Sequence, residues 1–320
     1  MALSPINSIA AVQIAIYVPY LPTAILLASR HGFRRNAGWL YLLIFTLTRL
    51  IAASLQLSTA STPPSVALLI TTQIFYSVGL SALILTLLNL IGRILSSTQH
   101  NGHTTSFTPR HQRLAQIVVV VGLILGIVGG SLMGSEIDDV MSGQAPYEPV
   151  EIPIESEIGL GLMIAGFAGV VAGTVSCLIS YNHIGKEKGD RRLLWAVAGT
   201  IPFMVVRVVF SGLATFSNDP RFRGFGGAEG YAWWFLGMAV VMEVMVVGIL
   251  EGVGLTLKRV NGIVVQGQTA EASNSGGSAG RSWLSGSIIG RRLERRKRQI
   301  ERLTVGPRKT EQDGVVGTAV

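Results

Sequence analysis

Residues 114–134 read LAQIVVVVGLILGIVGGSLMG, a stretch without one charged side chain. A hydrocarbon core about 30 Å thick is crossed by roughly 20 helical residues rising 1.5 Å each. This stretch is long enough and apolar enough to be one such crossing. Six more of the same kind lie around it, at residues 8–28, 38–57, 66–92, 158–180, 193–214 and 231–254. A soluble chain of 320 residues has no use for seven such runs. The expected fold is therefore all-α, a multi-pass transmembrane bundle of seven helices, with the lipid bilayer as its solvent.

Composition agrees. Charged residues make up 14% of the chain, against about 25% in soluble domains, and they avoid the seven runs almost completely. Cys177 is the single cysteine and sits inside the fifth run, so no internal disulfide can form. No Asn-x-Ser/Thr sequon occurs. The N-terminal run has no basic leader and is longer than a cleavable signal core, which predicts a retained signal anchor.

The charges sort by side. Three connections, those after runs one, three and five, carry Arg30, Arg34, Arg35, Arg93, Arg110, Arg113, Lys186, Lys188, Arg191 and Arg192. The three alternate connections carry only Arg221 and Arg223, and the one after run four holds seven acids from Glu136 to Glu157. Cytoplasmic loops are enriched in Lys and Arg, so the N-terminus is expected outside and the C-terminus in the cytosol. Trp39 then marks the inner mouth of helix 2, and Trp233 and Trp234 the outer mouth of helix 7.

Residues 1–255 are expected to form the membrane domain and 256–320 a cytosolic tail. The tail contains the linker Asn274-Ser-Gly-Gly-Ser-Ala-Gly280, whose composition cannot bury enough apolar surface to fold. Near 283–303, Leu284, Ile288, Leu293, Ile300 and Leu303 follow roughly helical spacing around Arg291, Arg292, Arg295, Arg296, Lys297 and Arg298. Two readings stand: a basic amphipathic helix on anionic inner-leaflet lipids, or a disordered tail that enforces orientation. Nothing points to a nucleic-acid partner.

Small residues recur every fourth position in two runs: Gly122, Gly126, Gly130 and Gly134, then Gly161, Ala165, Gly169 and Gly173. Such stripes let helix backbones approach closely in lipid. They predict tight packing of helix 4 on helix 5, or of two copies in a homodimer. Pro19 and Pro22 in the first run and Pro202 in the sixth remove backbone donors and predict kinks.

Four ionisable residues fall inside the runs: Arg49, Arg207, Glu243 and Glu251. Arg49 lies ten residues in from Trp39 and Glu243 ten in from Trp233, entering from opposite faces, so both sit about 15 Å deep. A lone charge there costs several kcal/mol, which predicts an Arg49–Glu243 pair between helices 2 and 7. Arg207 has Glu243 or the outer-loop acids as candidate partners, and Glu251 is placed to snorkel toward Lys258 or Arg259. Gln56, Gln73, Tyr76 and Asn89 add polar groups to the same interior. These residues form either the wall of a polar cavity for a small molecule, lipid or proton, or a structural lock that fixes helix order.

Absent patterns narrow the function. All five histidines lie outside the runs, which disfavours intramembrane haem ligation and zinc hydrolysis. Helix 7 offers no lysine for a retinal Schiff base, and no phosphate-binding glycine loop precedes a soluble helix. No catalytic, metal or cofactor set emerges.

At Arg30-His31-Gly32-Phe33, Gly38-Trp39 and Arg49 to Gln56 the chain resembles a filamentous-fungal family of seven-helix integral membrane proteins. The resemblance covers residues 1–255 and implies membership of a family without an assigned function, so no site residue transfers. Topology alone makes it similar to fungal lipid-translocating-exporter-type proteins. The function expected first is sensing or moving a small molecule or lipid. A seven-helix receptor-like signalling protein comes next, and a membrane-embedded enzyme third.

Overall fold

The computed structural model describes residues 4–31, 37–60, 66–100, 107–141, 152–180, 188–217, 222 and 229–257. The chain divides into two units, Met1–Arg259 and Val260–Val320. The second unit, with the linker and the basic 283–303 segment, lies outside the described residues.

Every described element is helical. They are α1 (Pro5–His31), α2 (Ala37–Ser58), α3 (Val66–His100), α4 (Pro109–Met141), α5 (Ile154–Ile179), α6 (Lys188–Phe216), α7 (Glu229–Phe235) and α8 (Val241–Thr256), with a π-helical segment, Leu236–Val240, joining the last two. Among the described residues seven helical stretches are long and apolar enough to cross a membrane, and the seventh is built from α7, the π segment and α8. This is a multi-pass membrane protein.

Helix α3 is the centre of the bundle. Between Leu80 and Leu95 it carries large apolar side chains on every side, and all but Asn89 and Arg93 are buried. Of its apolar window 67% is buried, against 22% for α4. It packs on α2, α4, α5 and α6. Helix α4 instead presents Leu114, Ile117, Val121, Ile124, Val128 and Leu132 outward, a stripe suited to acyl chains. The same helix starts at a proline, whose missing N–H belongs to a helix end anyway.

The helices overrun the apolar runs where nothing stops them. Helix α3 continues to His100 because Leu95-Ser-Ser-Thr-Gln-His100 holds no breaker before Asn101-Gly102. Helix α1 is continuous through Pro19 and Pro22, and α6 through Pro202.

The α4–α5 contact is the most extensive between any two described helices. It runs through Gly122 and Gly159: a Cβ on either would lie 2.7–2.8 Å from the carbonyl oxygen of the other. Gly129 abuts Ser156, and Gly166 receives Val119. The register on α5 is therefore Gly159, Met163 and Gly166, one face away from the expected one. Gly169 meets Ala115, but Gly130 and Gly134 face Ile74 and Ile70 of α3, and Gly173 faces Ile91 of α3. Gly126 belongs to the α4–α5 contact through its backbone, since a Cβ on Gly159 would lie 2.8 Å from its nitrogen, while a Cβ on Gly126 itself would meet Met163 at an ordinary 3.9 Å. Gly161 has no neighbour within 4 Å, and Ala165 is exposed. A four-residue period marks a face without saying what covers it.

Trp39, near the start of α2, is enclosed: it stacks on His31 at the end of α1 at 5.4 Å, and a Cβ on Gly254 would strike its ring at 2.5 Å. Trp233 and Trp234 are exposed, as an interfacial belt requires.

Candidate functional site

Arg49 of α2, Arg207 of α6 and Glu243 of α8 meet in the interior of the bundle. The Nη2 of Arg49 and the Nε of Arg207 both donate to Oε1 of Glu243, the latter at 2.6 Å. Arg207 reaches further, with Nη1 donating to the Ser211 hydroxyl one turn along α6. Exposures are 1% for Arg49 and Glu243 and 5% for Arg207. Two cations thus share one anion in a closed space, leaving a surplus of one positive charge.

Neighbouring residues shape that space around Arg49. Its guanidinium carbon lies 5.3 Å from the Phe45 ring centre and 5.1 Å from that of Tyr76. Two cation–π contacts stabilise a desolvated guanidinium by roughly 1–2 kcal/mol each. The slot exists because position 79 is glycine: a Cβ there would lie 2.7 Å from the guanidinium carbon and Nη2. Tyr76 in turn donates its hydroxyl to Oε1 of Gln13 at 3.1 Å. Tyr17, packed edge-on against Phe45, lies within electrostatic reach of all three charges.

Several polar atoms here are buried without a hydrogen-bond partner among the described residues: Nε and Nη1 of Arg49, Nε2 of Gln13 and the Tyr17 hydroxyl. Buried polar groups are paired in the great majority of cases, so four orphans around one charge surplus mark the region as unusual. Three of the four are obligate donors. What they lack is an acceptor.

The π segment helps aim Glu243. The N–H of Val241 bonds to the carbonyl of Leu236, five residues back rather than four. A π turn accommodates one extra residue, and each residue is about 100° of α-helical rotation. Glu243 consequently faces α2 and α6 while Tyr231 and Phe235 keep their place in an aromatic cluster with Phe210. Continuous α-helix would not serve both.

Of the residues singled out from the sequence, the structure brings Arg49, Arg207, Glu243 and Tyr76 together. Gln56 is elsewhere: its amide donates to Oδ1 of Asn7 at 3.1 Å, tying the end of α2 to the start of α1. Gln73 is on α3, but its side chain lies outside the described residues. Asn89 bonds within its own helix, to the carbonyl of Leu85. Glu251 is 3% exposed and meets the Thr23 hydroxyl, while its expected partners Lys258 and Arg259 lie outside the described residues. Arg291 to Arg298 lie outside the described residues. Sequence reasoning missed Gln13, Tyr17, Phe45, Gly79 and Ser211. Helical spacing held a signal for them, since Phe45 and Ser211 stand four residues from Arg49 and Arg207, and Gly79 three from Tyr76.

Over residues 3–260 the chain matches the family described as Domain of unknown function (DUF7702), and it belongs to that family. No curated protein and no solved structure matches it.

Proposed function

We propose that this membrane protein binds the anionic group of a small molecule or lipid, with Arg49 donating to it and Arg207 supplying the surplus charge from its place on Glu243. Family membership carries no activity, so the reading rests on the site. The observation that supports it is the uncompensated positive charge beside orphaned donors. A buried charge without a partner is costly, and one monoanion would neutralise it while accepting from Arg49, Tyr17 or Gln13. Glu243 holds both arginines and keeps their separation fixed. Because the site is enclosed, binding goes with a parting of helices around it. Sensing or transport is the corresponding class of function.

The test is thermal unfolding of the full chain in lipid nanodiscs with decanoate, decanol or chloride. Decanoate or chloride should raise the midpoint, decanol should not, and Arg49→Met should abolish the gain. Equal stabilisation by decanol, or an undiminished gain in Arg49→Met, would overturn the reading. Chloride alone acting would identify a small free anion rather than an amphiphile.

A second reading is favoured by the closure itself: the three side chains act as a lock between α2, α6 and α8 and take no ligand. Its signature is a stability that depends on Glu243 but on no anion.

From the charge sorting we infer an outside N-terminus and a cytosolic basic tail that meets anionic lipid. From the open small-residue face of α5, Gly161 and Ala165, we infer a surface available to a second copy. The lipid-translocating resemblance and a fungal source belong to the same proposal.

A further inference from the structure

Of the four charges inside the apolar runs, Glu251 is the one that the anion reading leaves unused. It lies eight residues past Glu243 on α8, about 12 Å along the axis, on the same buried side as Val247 and Leu250. Its Oε2 rests against the Thr23 hydroxyl of α1, and its Oε1 is enclosed with no hydrogen-bond partner among the described residues.

No described cation is paired with Glu251. The ion pairs among the described residues are Arg49–Glu243, Arg207–Glu243 and Arg93–Asp190. On α1, the packed neighbour, Tyr20 and Thr23 are the titratable or hydroxyl groups that face it. The Tyr20 hydroxyl sits over Gly248, where a Cβ would come within 3.1 Å. Arg30 spends its guanidinium on the carbonyl of Leu255, and His31 stacks on Trp39 of α2. On α6, Asp190 is held by Arg93. The buried Glu251 carboxylate and two half-buried hydroxyls thus share one corner between α1 and α8, with no positive partner among the described residues.

We propose that this corner is a binding site for a single small positive charge, delivered as a proton or as sodium. The chemistry is that of an acceptor-only group walled off from water, where charge is sustained only with a counter-charge at hand. Thr23 supplies the orienting contact and Tyr20 a second oxygen. Glu251 and the arginine centre then carry opposite deficits on one helix: the first lacks a cation and the second lacks an anion. Combined with the anion reading, on which this last step rests, α8 becomes the element that couples uptake of an anion to uptake of a cation.

The cation site can be tested without any anion ligand. Thermal unfolding of the full chain in nanodiscs would be followed while sodium is exchanged for choline at constant pH, and separately while pH is varied at constant sodium. For one site that binds only the folded state, the folding equilibrium moves by up to about tenfold per tenfold change in the free cation. Wild type should show that dependence in one arm, and the arm that responds identifies the carrier. Glu251→Gln should be flat in the sodium arm or, if the pH arm responds, should lose the one-proton difference from wild type there. Thr23→Val keeps the carboxyl and should shift the titration without abolishing it, which covers the case of a Glu251→Gln chain that does not fold. A wild type flat in both arms, or a Glu251→Gln or Thr23→Val response identical to wild type, would overturn the proposal. Anion binding that fails while the cation dependence persists would remove only the arginine reading.

Discussion

Replacing Glu243 by glutamine should be the most damaging single change in the bundle, and far worse than replacing Arg207 by methionine. Glutamine keeps the shape of the side chain but strands two buried guanidinium groups that now share one acceptor oxygen. Removing one partner of a buried pair costs about 3–5 kcal/mol because the other charge is left uncompensated. That corresponds to a fall of about 100-fold to several thousand-fold in the folded-to-unfolded ratio. Arg207→Met loses its bonds to Glu243 and Ser211, yet it also removes the surplus charge and leaves a neutral Arg49–Glu243 pair. Its net cost should stay below about 2 kcal/mol, since hydrogen bonds to charged groups contribute about 1.5–3 kcal/mol each and relief of the surplus offsets part of them. The double variant should be more stable than Glu243→Gln alone. Equilibrium unfolding in mixed micelles, followed by the fluorescence of the five tryptophans, measures all three. Arg207→Met as costly as Glu243→Gln, or a benign Glu243→Gln, would refute the shared-anion account.

Two further outcomes follow from the packing. Gly122→Leu should force α4 from α5, because its first added atom would lie 2.7 Å from the carbonyl of Gly159, whereas Gly161→Leu meets open space and should be close to neutral; the same unfolding assay separates them, with overpacking expected to cost about 1–3 kcal/mol or more. Deleting Gly237 should remove the extra residue of the π turn and rotate Glu243 by about 100° against Tyr231 and Phe235, so that either the charges or the aromatic cluster loses its partners and stability falls toward that of Glu243→Gln.

The seven spans were legible because twenty apolar residues have few other uses, and the meeting of Arg49 with Glu243 followed from their equal depth. Arg207 joining the same oxygen was one candidate among several, since depth alone does not fix the facing of α6. The π segment was illegible. Its sequence, Leu236-Gly-Met-Ala-Val240, differs little from ordinary helix, and the extra residue is imposed by partners on both sides. Glycine spacing marked helix faces that contact something, yet Gly130 and Gly134 turned to α3 and Gly161 to the outside. The burial of Trp39 and Glu251 was not legible, because their internal places are made by Gly254 and Thr23, partners distant from them in the sequence.

Arg49 has two buried donors without an acceptor among the described residues, and on the proposed reading an anion supplies it. Nitrogen-15 spectra of the arginine side chains, recorded on the full chain in nanodiscs during titration with decanoate, test it directly. The account predicts that the Arg49 Nε–H resonance shifts saturably while that of Arg207, already held by Glu243, moves little. An Arg49 resonance that stays still, or that shifts equally with decanol, would contradict it.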